Sequence, residues 1–386
     1  MALPLSYNVR NLRQRWQVTL LAIFGIALVV TVFVFLAAMS SGFRIALRST
    51  GRDDNAIVLQ KGSTSELGSG LERGKAGILM VDSRIARDKE GQPLSSGEIL
   101  SVANLKRLDG GEVNVTIRGV SARTFDVRGG IRIVRGRVFT PGLAEIVVGA
   151  RIADRFGYQV GTKVKLAKQE WDVVGVFASE GSGFESEVWG DLSVLQEPLK
   201  RTGGFQAVVV RLQDPTTLEA FKKTWEEDPQ LQVTVQQERK FYEDQAGPTA
   251  AALMGLAVFV SVVMGVGAVF GAMNTMYAIV AARTREIGTL RALGFSRRSI
   301  LFSFVTESVF LALIGGLLGC VLALPANGVT SATGGANFSE IAFAFRITPI
   351  ALLVGMAFAL AMGVIGGLLP ASRAARMGIT TALRSA

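Results

Sequence analysis

Long apolar runs alternate with soluble-type sequence along this 386-residue chain. Four runs reach the length of about 20 apolar residues that a membrane-spanning helix needs. They are Val18 to Met39, Ala250 to Ala282, Ile300 to Leu324 and Ile347 to Leu369, and only the third contains a charged residue, Glu307. A buried helix of a soluble protein would explain one such run, but four runs in one chain predict four transmembrane helices.

Residues 40–249, between the first two runs, have ordinary soluble composition, and their alternating apolar and polar positions predict a mixed α/β domain. The predicted strands are Asn55–Gln60, Glu112–Ile117, Ile131–Arg135, Glu145–Val148, Lys163–Leu166, Glu170–Phe177, Ala207–Leu212 and Leu231–Val235. The predicted helices are Ser95–Leu108, Ala150–Phe156 and Thr216–Glu227, with a Gly- and Ser-rich loop over Lys61–Gly77.

The fold class predicted by this pattern is an α-helical membrane protein with four transmembrane helices and a large mixed α/β extracytoplasmic domain between helices 1 and 2. The predicted segments are a cytoplasmic N-terminal segment 1–17, helix 18–39, the extracytoplasmic domain with stalk ends 40–249, helix 250–282, a cytoplasmic coupling loop 283–299, helix 300–324, an external loop 325–346, helix 347–369 and a cytoplasmic tail 370–386.

Charge sets the predicted orientation of the helices. The net charge is +10, and three short segments beside the apolar runs hold eleven Arg against one Glu, which accounts for all of it. These residues are Arg10, Arg13, Arg15, Arg283, Arg285, Arg291, Arg297, Arg298, Arg373, Arg376, Arg384 and Glu286. Positive segments stay in the cytoplasm, so both termini and the 283–299 loop are predicted to be cytoplasmic. Because the excess charge flanks membrane spans, nucleic acid is not an expected partner.

Composition excludes several kinds of active site. The chain has no His and a single Cys, Cys320, so zinc sites built on His, Ser-His-Asp catalysis and intrachain disulfides are excluded. Gly74-Lys75 does not complete a phosphate-binding loop, because Ser69 and Ala76 stand where that motif needs Gly and Ser or Thr. We therefore predict no catalytic residue and no metal site. Five carboxylates without catalytic spacing are expected on a solvated surface: Asp82, Glu180, Glu185, Glu187 and Asp191.

The second apolar run is too long for the bilayer alone. Its 33 residues would form a helix of about 50 Å, whereas the hydrocarbon core is about 30 Å thick. Gln236–Ala246 is also compatible with a helix, and beyond the first run Phe43 and Leu47 continue an amphipathic pattern with Arg44 and Arg48. This predicts a two-helix stalk with a bend at Gly247-Pro248, and tilt with interfacial ends is the alternative.

Small residues recur inside three of the apolar runs and predict close helix packing. The pairs are Gly267 and Gly271, Gly315 and Gly319, and Gly363 and Gly367. They predict a tightly packed bundle that can include a second copy of the chain. The polar residues Asn274 and Glu307 lie inside the runs, and Glu307 is expected to face protein, with Asn274 or an N-terminal Arg as its partner.

The loop between the second and third runs carries the most specific pattern in the chain. A short amphipathic helix is predicted there, with Ile287, Leu290 and Leu293 on one face and its end at Gly294. A positive anchor needs only charge, so the apolar stripe predicts docking into a groove of a partner. The residues predicted to make this contact are Arg283, Arg285, Glu286, Ile287, Gly288, Leu290, Arg291, Leu293 and Gly294.

These motifs make the chain resemble the FtsX/MacB-type permeases of ABC transporters. In the membrane half the resemblance rests on Met273-Asn274, Arg283-Thr-Arg-Glu-Ile-Gly288, Arg291-Ala-Leu-Gly294, Glu307, Gly315-Gly316, Gly319, Pro370–Arg376 and Ala382-Leu-Arg384. In the extracytoplasmic domain it rests on Ile133–Phe139, Ile146–Gly149, Val160–Val164 and Val173–Val176. Phe295 and Ile379 depart from the family pattern, in which Ala and Pro are usual.

The resemblance implies a homodimeric half-permease of the bacterial inner membrane, whose periplasmic domain has two subdomains. It implies that Ala282–Gly294 is a coupling helix seated on a separate ABC ATPase, present in two copies, which binds the ATP and Mg. No cofactor is expected in this chain itself, and membrane lipid is expected around the spans.

The function implied by the resemblance is mechanotransmission. Motion driven by ATP would reach the periplasmic domain and drive efflux or extraction of a periplasmic or outer-leaflet substrate, with a periplasmic adaptor and an outer-membrane channel as further partners. Two alternatives stay open at this point: release of lipoprotein or glycolipid from the inner membrane, and regulation of a cell-wall hydrolase.

Overall fold

A computed structural model of the chain describes residues 16–108, 110–334 and 339–379. The chain divides into two compact units. The bundle unit holds residues 16–41, 251–329 and 345–379 of the described part, and the sheet unit holds residues 42–250 and 330–344. Arg10, Arg13, Arg15 and Arg384 lie outside the described residues, so the structure does not test the orientation predicted from them.

The helices fall into a long and a short class. In chain order they are α1 (Trp16–Arg48), α2 (Arg73–Leu79), α3 (Thr124–Arg128), α4 (Ala150–Phe156), α5 (Leu192–Leu195), α6 (Leu218–Glu226), α7 (Glu238–Ala282), α8 (Thr284–Ala292), α9 (Arg297–Ala323) and α10 (Pro349–Arg376). The four long ones, α1, α7, α9 and α10, are long and apolar enough to cross a membrane. The prediction of four membrane-spanning helices is confirmed on that basis.

Two of the long helices continue past their apolar cores, as predicted. α1 runs on to Arg48, with Phe43 and Leu47 buried while Arg44 and Arg48 are exposed. α7 is one helix of 45 residues that contains Pro248 and begins at Glu238. Glu243 of α7 pairs with Arg44 at 3.4 Å and with Arg48 at 3.7 Å. The extended part of α1 is therefore bound to the extended part of α7.

The sheet unit is built on one ten-stranded sheet. The strands of the chain are β1 (Asn55–Gln60), β2 (Leu71–Glu72), β3 (Ser95–Lys106), β4 (Glu112–Val120), β5 (Arg132–Gly136), β6 (Glu145–Gly149), β7 (Lys163–Leu166), β8 (Gln169–Ala178), β9 (Glu187–Asp191), β10 (Gly204–Phe205), β11 (Ala207–Arg211), β12 (Val233–Gln237), β13 (Thr330–Gly334) and β14 (Glu340–Ala344). The sheet order is β12-β1-β11-β3-β4-β9-β6-β8-β5, with β7 paired to β8. Pairs β4–β9 and β6–β8 are parallel, and the other pairs of this sheet are antiparallel.

Strand alternation gives this sheet two apolar faces. On one face, α2 and α6 pack over Val58 and Val208, and α4 packs over Ile146 and Val176. On the other face, Ile57, Val209 and Trp189 pack with Phe241 and Tyr242 near the start of α7. The first turns of α7 therefore belong to the core of the sheet unit.

Two predictions about this unit are wrong. The segment predicted as a helix over Ser95–Leu108 is strand β3, whose backbone pairs with β4 and β11. Its buried residues run consecutively from Ser95 to Leu100 and do not form a helical stripe. The predicted loop Lys61–Gly77 contains β2 and most of α2. The segment predicted as an external loop, 325–346, contains a hairpin that was not predicted, β13–β14, in register from Thr330 opposite Ala344. The eight predicted strands are all present, with ends that differ by a few residues at most.

Candidate coupling site

A short helix joins the second and third long helices of the bundle unit. α8 begins just after Arg283, which follows the last residue of α7. Gly294 stops it with a φ of 91°, in the left-handed region that favours glycine. Ser296 then starts α9 by accepting a hydrogen bond from the Ser299 backbone N–H at 3.1 Å.

The inward face of α8 is anchored in the bundle unit. Ile287 is only 2% exposed and belongs to an apolar cluster with Ile300 and Phe304 of α9 and Val280 of α7. Gly288 is buried beside it. α8 is therefore packed on the two helices that it connects, and a movement of α8 would act on both.

The predicted docking stripe is wrong in part. Ile287 points into the chain itself, Leu290 is half-buried, and only Leu293, at 72%, is largely exposed. A single short helix cannot present one face both to its own bundle and to a partner. The outward surface of this segment is formed instead by a mixed set, and this set is Arg285, Glu286, Thr289, Ala292 and Leu293.

Arg283 ties α8 to α9 from the junction with α7. Its guanidinium Nη1 donates to Glu307 Oε2 at 3.0 Å, its Nε lies 3.5 Å from Glu286 Oε2, and its guanidinium lies over the Phe304 ring at 5.7 Å. The Glu307 side chain is 2% exposed. Glu307 therefore faces protein, as predicted, and it pairs with Arg283 rather than with the predicted Asn274. Asn274 is exposed, and the N-terminal Arg residues lie outside the described part.

Two of the predicted glycine pairs do mediate close helix packing. A Cβ at Gly315 would lie 2.9 Å from the Ile23 carbonyl oxygen, and one at Gly319 would lie 2.5 Å from that of Ala27, so both face α1. A Cβ at Gly363 would lie 2.5 Å from Ala312 Cβ. These contacts bring α9 against α1 and α10 against α9, which is the use that small residues have in membrane bundles.

The remaining glycines behave differently from one another. Gly367 has the close environment predicted for it, since a Cβ added there would lie 2.5 Å from Ser308 Cβ. At Gly267 and Gly271 an added Cβ meets no atom of the described residues within 4 Å. The predicted packing at this pair therefore does not occur within the described part of one chain, and its use between two copies stays a prediction.

A buried cluster of charges, which we call the ion cluster, lies at the other end of α7. Its members are Glu66, Glu98, Arg118, Arg128, Glu187 and Glu238. Arg118 donates to both oxygens of Glu187 at 2.7 and 2.8 Å. It also donates to Glu66 at 2.7 Å and to Glu98 at 2.8 Å. The Glu187 carboxylate also accepts the Trp189 indole N–H at 2.7 Å.

The second half of the ion cluster reaches α7. Arg128 donates to Glu98 at 2.6 and 3.1 Å and to Glu238, the first residue of α7. Glu238 Oε2 also accepts from the Asn55 amide at 2.8 Å and from the Arg52 backbone N–H at 3.1 Å. The carboxylate that starts α7 is therefore fixed to β1 and to the end of α3.

Electrostatics favour the charged forms of two members of this cluster, Glu98 and Arg118. Burial raises the pKa of the Glu98 carboxyl, but the Arg128 and Arg118 guanidiniums outweigh burial and hold that pKa below its ordinary value. Burial likewise opposes the charge of Arg118, and Glu187 and Glu66 raise its pKa well above its ordinary value. Removing one member of such a set leaves a buried charge without compensation, which typically costs about 3–5 kcal/mol.

Four of the five carboxylates that the sequence analysis expected on a solvated surface are not there. Glu185, Glu187 and Asp191 are buried, and the Asp82 carboxylate pairs with Arg84 at 2.5 Å in a largely buried position. Only Glu180 is exposed, as predicted. A usable signal was present: Glu98 and Arg118 each stand inside an apolar strand, and a buried charge in such a strand needs a partner. Among the described residues, no group of three or more His, Cys, Asp or Glu side chains is placed to hold a metal ion.

The four long apolar helices, together with the sheet unit, are the architecture of a multi-pass membrane protein with a large domain between its first two spans. The MacB-like periplasmic core domain model matches residues 19–227, and the FtsX-like permease C-terminal model matches residues 258–379. The chain belongs to the family of FtsX-like permeases with a MacB-like periplasmic core domain.

Curated relatives agree with this assignment. The chain is 26% identical to the macrolide export ATP-binding/permease protein MacB of Hahella chejuensis, over 95% of this chain and 57% of that protein. It is 29% identical to the pyoverdine export ATP-binding/permease protein PvdT of Pseudomonas fluorescens, over 66% of this chain and 40% of that protein. The chain spans about half the length of the curated relatives it matches.

Two solved structures are also similar. The periplasmic region of MacB from Actinobacillus actinomycetemcomitans aligns with a TM-score of 0.39 at 13% identity, covering 51% of this chain and 94% of that one. The extracellular domain of the noncanonic ABC-type transporter YknZ from Gram-positive bacteria aligns with a TM-score of 0.37 at 16% identity, covering 47% of this chain and 99% of that one.

Proposed function

We propose that this chain is the permease subunit of an ABC transporter in the bacterial inner membrane. A separate cytoplasmic ATPase, which binds the ATP and Mg, acts on α8, and the motion is passed to the sheet unit in the periplasm. The motion drives export or extraction of a periplasmic or outer-leaflet substrate. In this arrangement both termini and α8 are cytoplasmic.

The observation that carries this proposal is the continuity of α7. One helix of 45 residues begins at Glu238 in the ion cluster and ends one residue before α8. A helix holds its length through its backbone hydrogen bonds, so a displacement at one end reaches the other. The ion cluster fixes the first carboxylate of α7, and Ile287 and Arg283 fix α8 at the opposite end.

Two further observations support the proposal. The outward surface of α8 combines charged residues with the exposed Leu293, which is the composition of a contact that needs both specificity and apolar burial. The relatives named above are export proteins whose names combine ATP-binding and permease functions. The remaining proposed partners are a second copy of this chain, a second ATPase copy, a periplasmic adaptor and an outer-membrane channel.

The test is ATP hydrolysis by the ABC ATPase that co-purifies with the chain, measured after reconstitution together in nanodiscs. We expect the wild-type chain to stimulate hydrolysis and Glu286→Lys to reduce that stimulation at least tenfold, because the reversed charge opposes the partner surface. Glu170→Lys is the matched control, since Glu170 is an exposed carboxylate of the sheet unit. Stimulation that survives Glu286→Lys would show that α8 is only an anchor, and the proposal would fall.

A further inference from the structure

The hairpin β13–β14, which connects α9 to α10, belongs to the sheet unit and is held there by specific side-chain contacts. In strand β14 of this hairpin Ala342 and Phe343 are buried and the other residues are half-buried, whereas β13 is exposed at both ends and half-buried between them. Glu340 Oε2 pairs with Arg155 Nη2 of α4 at 2.8 Å, and the Ala342 backbone N–H donates to Ser186 Oγ at 2.9 Å. Arg151, also on α4, donates to the Ala342 carbonyl oxygen.

Apolar and hydroxyl contacts complete this attachment. The Phe343 ring is fully buried and lies edge-on to Phe43, with 5.5 Å between ring centroids. Thr116 Oγ1 of β4 donates to Ser339 Oγ at 2.8 Å. In a strand that served only as a connection, such polar groups would be hydrogen-bonded to water. The side-chain partners found here therefore indicate a specific binding position for β14.

The residues that flank the hairpin make their own contacts within the bundle unit. The Phe345 backbone N–H donates to the Val329 carbonyl oxygen at 2.9 Å, and the Arg346 N–H donates to the carbonyl oxygen of Ala38 in α1 at 3.1 Å. The Phe345 ring lies edge-on to Phe35, with 5.0 Å between centroids. Val329 and Phe345 are the immediate chain neighbours of β13 and β14. The hairpin strands therefore adjoin these bundle-unit residues directly in the chain.

The two attachments of the sheet unit hold it at different elements, although α7 also packs near the middle of the sheet, where Tyr242 lies in one apolar cluster with Trp189 of β9. α7 follows edge strand β12 directly, and its first residue is bound to Asn55 of β1. The hairpin is bound to α4, which packs over β6 and β8, and to Ser186, which precedes β9. α7 and α9 are also the two helices that α8 joins.

We propose that the α9–α10 hairpin is a second mechanical connection, and that Arg155 and Glu340 are its positioning residues. Motion of α8 then reaches the sheet unit by two routes, through α7 to β1 and the ion cluster and through α9 and the hairpin to α4. A displacement of one attachment relative to the other changes the shape of the sheet unit, which transmission through α7 alone would not do. This proposal rests on the proposed function.

The first experiment tests the binding position of β14, by amide hydrogen exchange on the full chain in nanodiscs without nucleotide. Arg155→Glu and Glu340→Arg are each expected to speed exchange of residues 340–344 at least tenfold, because each places like charges together. The double variant Arg155→Glu with Glu340→Arg is expected to return exchange to within twofold of wild type. The matched control swaps Lys163 and Glu170, an exposed pair 3.7 Å apart, and should leave residues 340–344 unchanged. Single variants with wild-type exchange would overturn the proposed binding position.

The second experiment tests transmission, with the co-purifying ATPase and a non-hydrolysable ATP analogue. In the wild-type chain the analogue is expected to change exchange at α4. In each single variant this response should be lost while ATP hydrolysis stays within twofold of wild type, and the double variant should recover it. A purely structural hairpin would leave the response at α4 intact, and that result would overturn the proposal alone. If the wild-type chain does not stimulate the ATPase at all, the proposed function fails, and the transmission role of the hairpin fails with it.

Discussion

Arg283 and Glu307 form a buried ion pair, with 3.0 Å between Nη1 and Oε2, that joins the α7–α8 junction to the interior of α9. The pair explains how one carboxylate is accommodated in an otherwise uncharged span, since a buried charge is retained where it is paired. It also gives α8 a polar attachment beside the apolar one at Ile287. Because Arg283 meets Glu286 of α8 as well, we expect this pair to position α8.

Substitutions at Glu307 follow from this geometry. Glu307→Gln should keep assembly and most ATPase stimulation, because the amide oxygen still accepts a hydrogen bond from Arg283. Glu307→Leu should lose at least tenfold of the stimulation, because it leaves the Arg283 guanidinium without this acceptor. The measurement is ATP hydrolysis in nanodiscs across a pH range, with oligomeric state as the control. Loss of activity in Glu307→Gln with assembly intact would indicate a proton-carrying role instead.

Glycine packing predicts a sharp contrast between two positions. Gly319→Ala would place a Cβ 2.5 Å from the Ala27 carbonyl oxygen, so α1 must move away from α9. Such overpacking typically costs about 1–3 kcal/mol, and the Tm of the detergent-solubilised chain should fall. Gly255→Ala is the matched control, because a Cβ added there meets no atom of the described residues outside its own helix within 4 Å, and Gly255 is not in a predicted packing pair. Equal Tm values for the two variants would contradict the helix contacts described above.

Acid sensitivity of the sheet unit should depend on Glu98. Because its pKa is held below the ordinary value of 4.5 in the folded chain, its contribution to stability is complete above pH 4.5 and is lost as pH falls through the lower folded pKa. Glu98→Gln should therefore flatten the fall in Tm of the full chain as the pH drops below 4.5, because the wild-type chain loses this contribution there. The side-chain hydrogen bond from Arg137 lowers the pKa of Glu145 to about 2. The contribution of Glu145 to acid sensitivity is the same in the wild-type chain and in Glu98→Gln, so it does not affect their comparison. A slope in Glu98→Gln equal to that of wild type and of the exposed control Glu170→Gln would refute the assignment.

Orientation can be tested with single cysteines in a Cys320→Ser background. Lys89 of the sheet unit and Ala292 of α8 are both exposed. In spheroplasts, Lys89→Cys should react with an impermeant thiol reagent, whereas Ala292→Cys should react only after permeabilisation. The reverse pattern would place α8 outside the cytoplasm and would exclude contact with a cytoplasmic ATPase.

The sequence was sufficient for the long helices and most strands, because both depend on local periodicity. β3 was missed since its Glu98 and Leu100 take up their places in a strand only when β4 and β11 are present as partners. The ion cluster was missed for a related reason: Glu66, Arg118 and Glu238 are far apart in the chain and meet only in the folded sheet unit.

The candidate coupling site was predicted in outline and corrected in detail. Periodicity located α8 and its end at Gly294, because a short amphipathic helix is a local pattern. Periodicity could not tell whether the apolar stripe faced a partner or the chain itself, and Ile287 faces the chain. The hairpin between α9 and α10 was missed because its strands are short and are stabilised by contacts with α4.

The central claim, that motion at α8 reaches the sheet unit, can be measured most directly as a distance. Spin labels at Lys89→Cys in the sheet unit and Ile350→Cys at the start of α10, in the Cys320→Ser background, occupy two exposed positions of the two units. With the co-purified ATPase in nanodiscs, the distance distribution between them should differ between the nucleotide-free state and the state trapped with a non-hydrolysable ATP analogue, and Glu286→Lys should abolish the difference. Identical distributions in the two states, with ATP hydrolysis by the wild-type complex intact, would contradict the account.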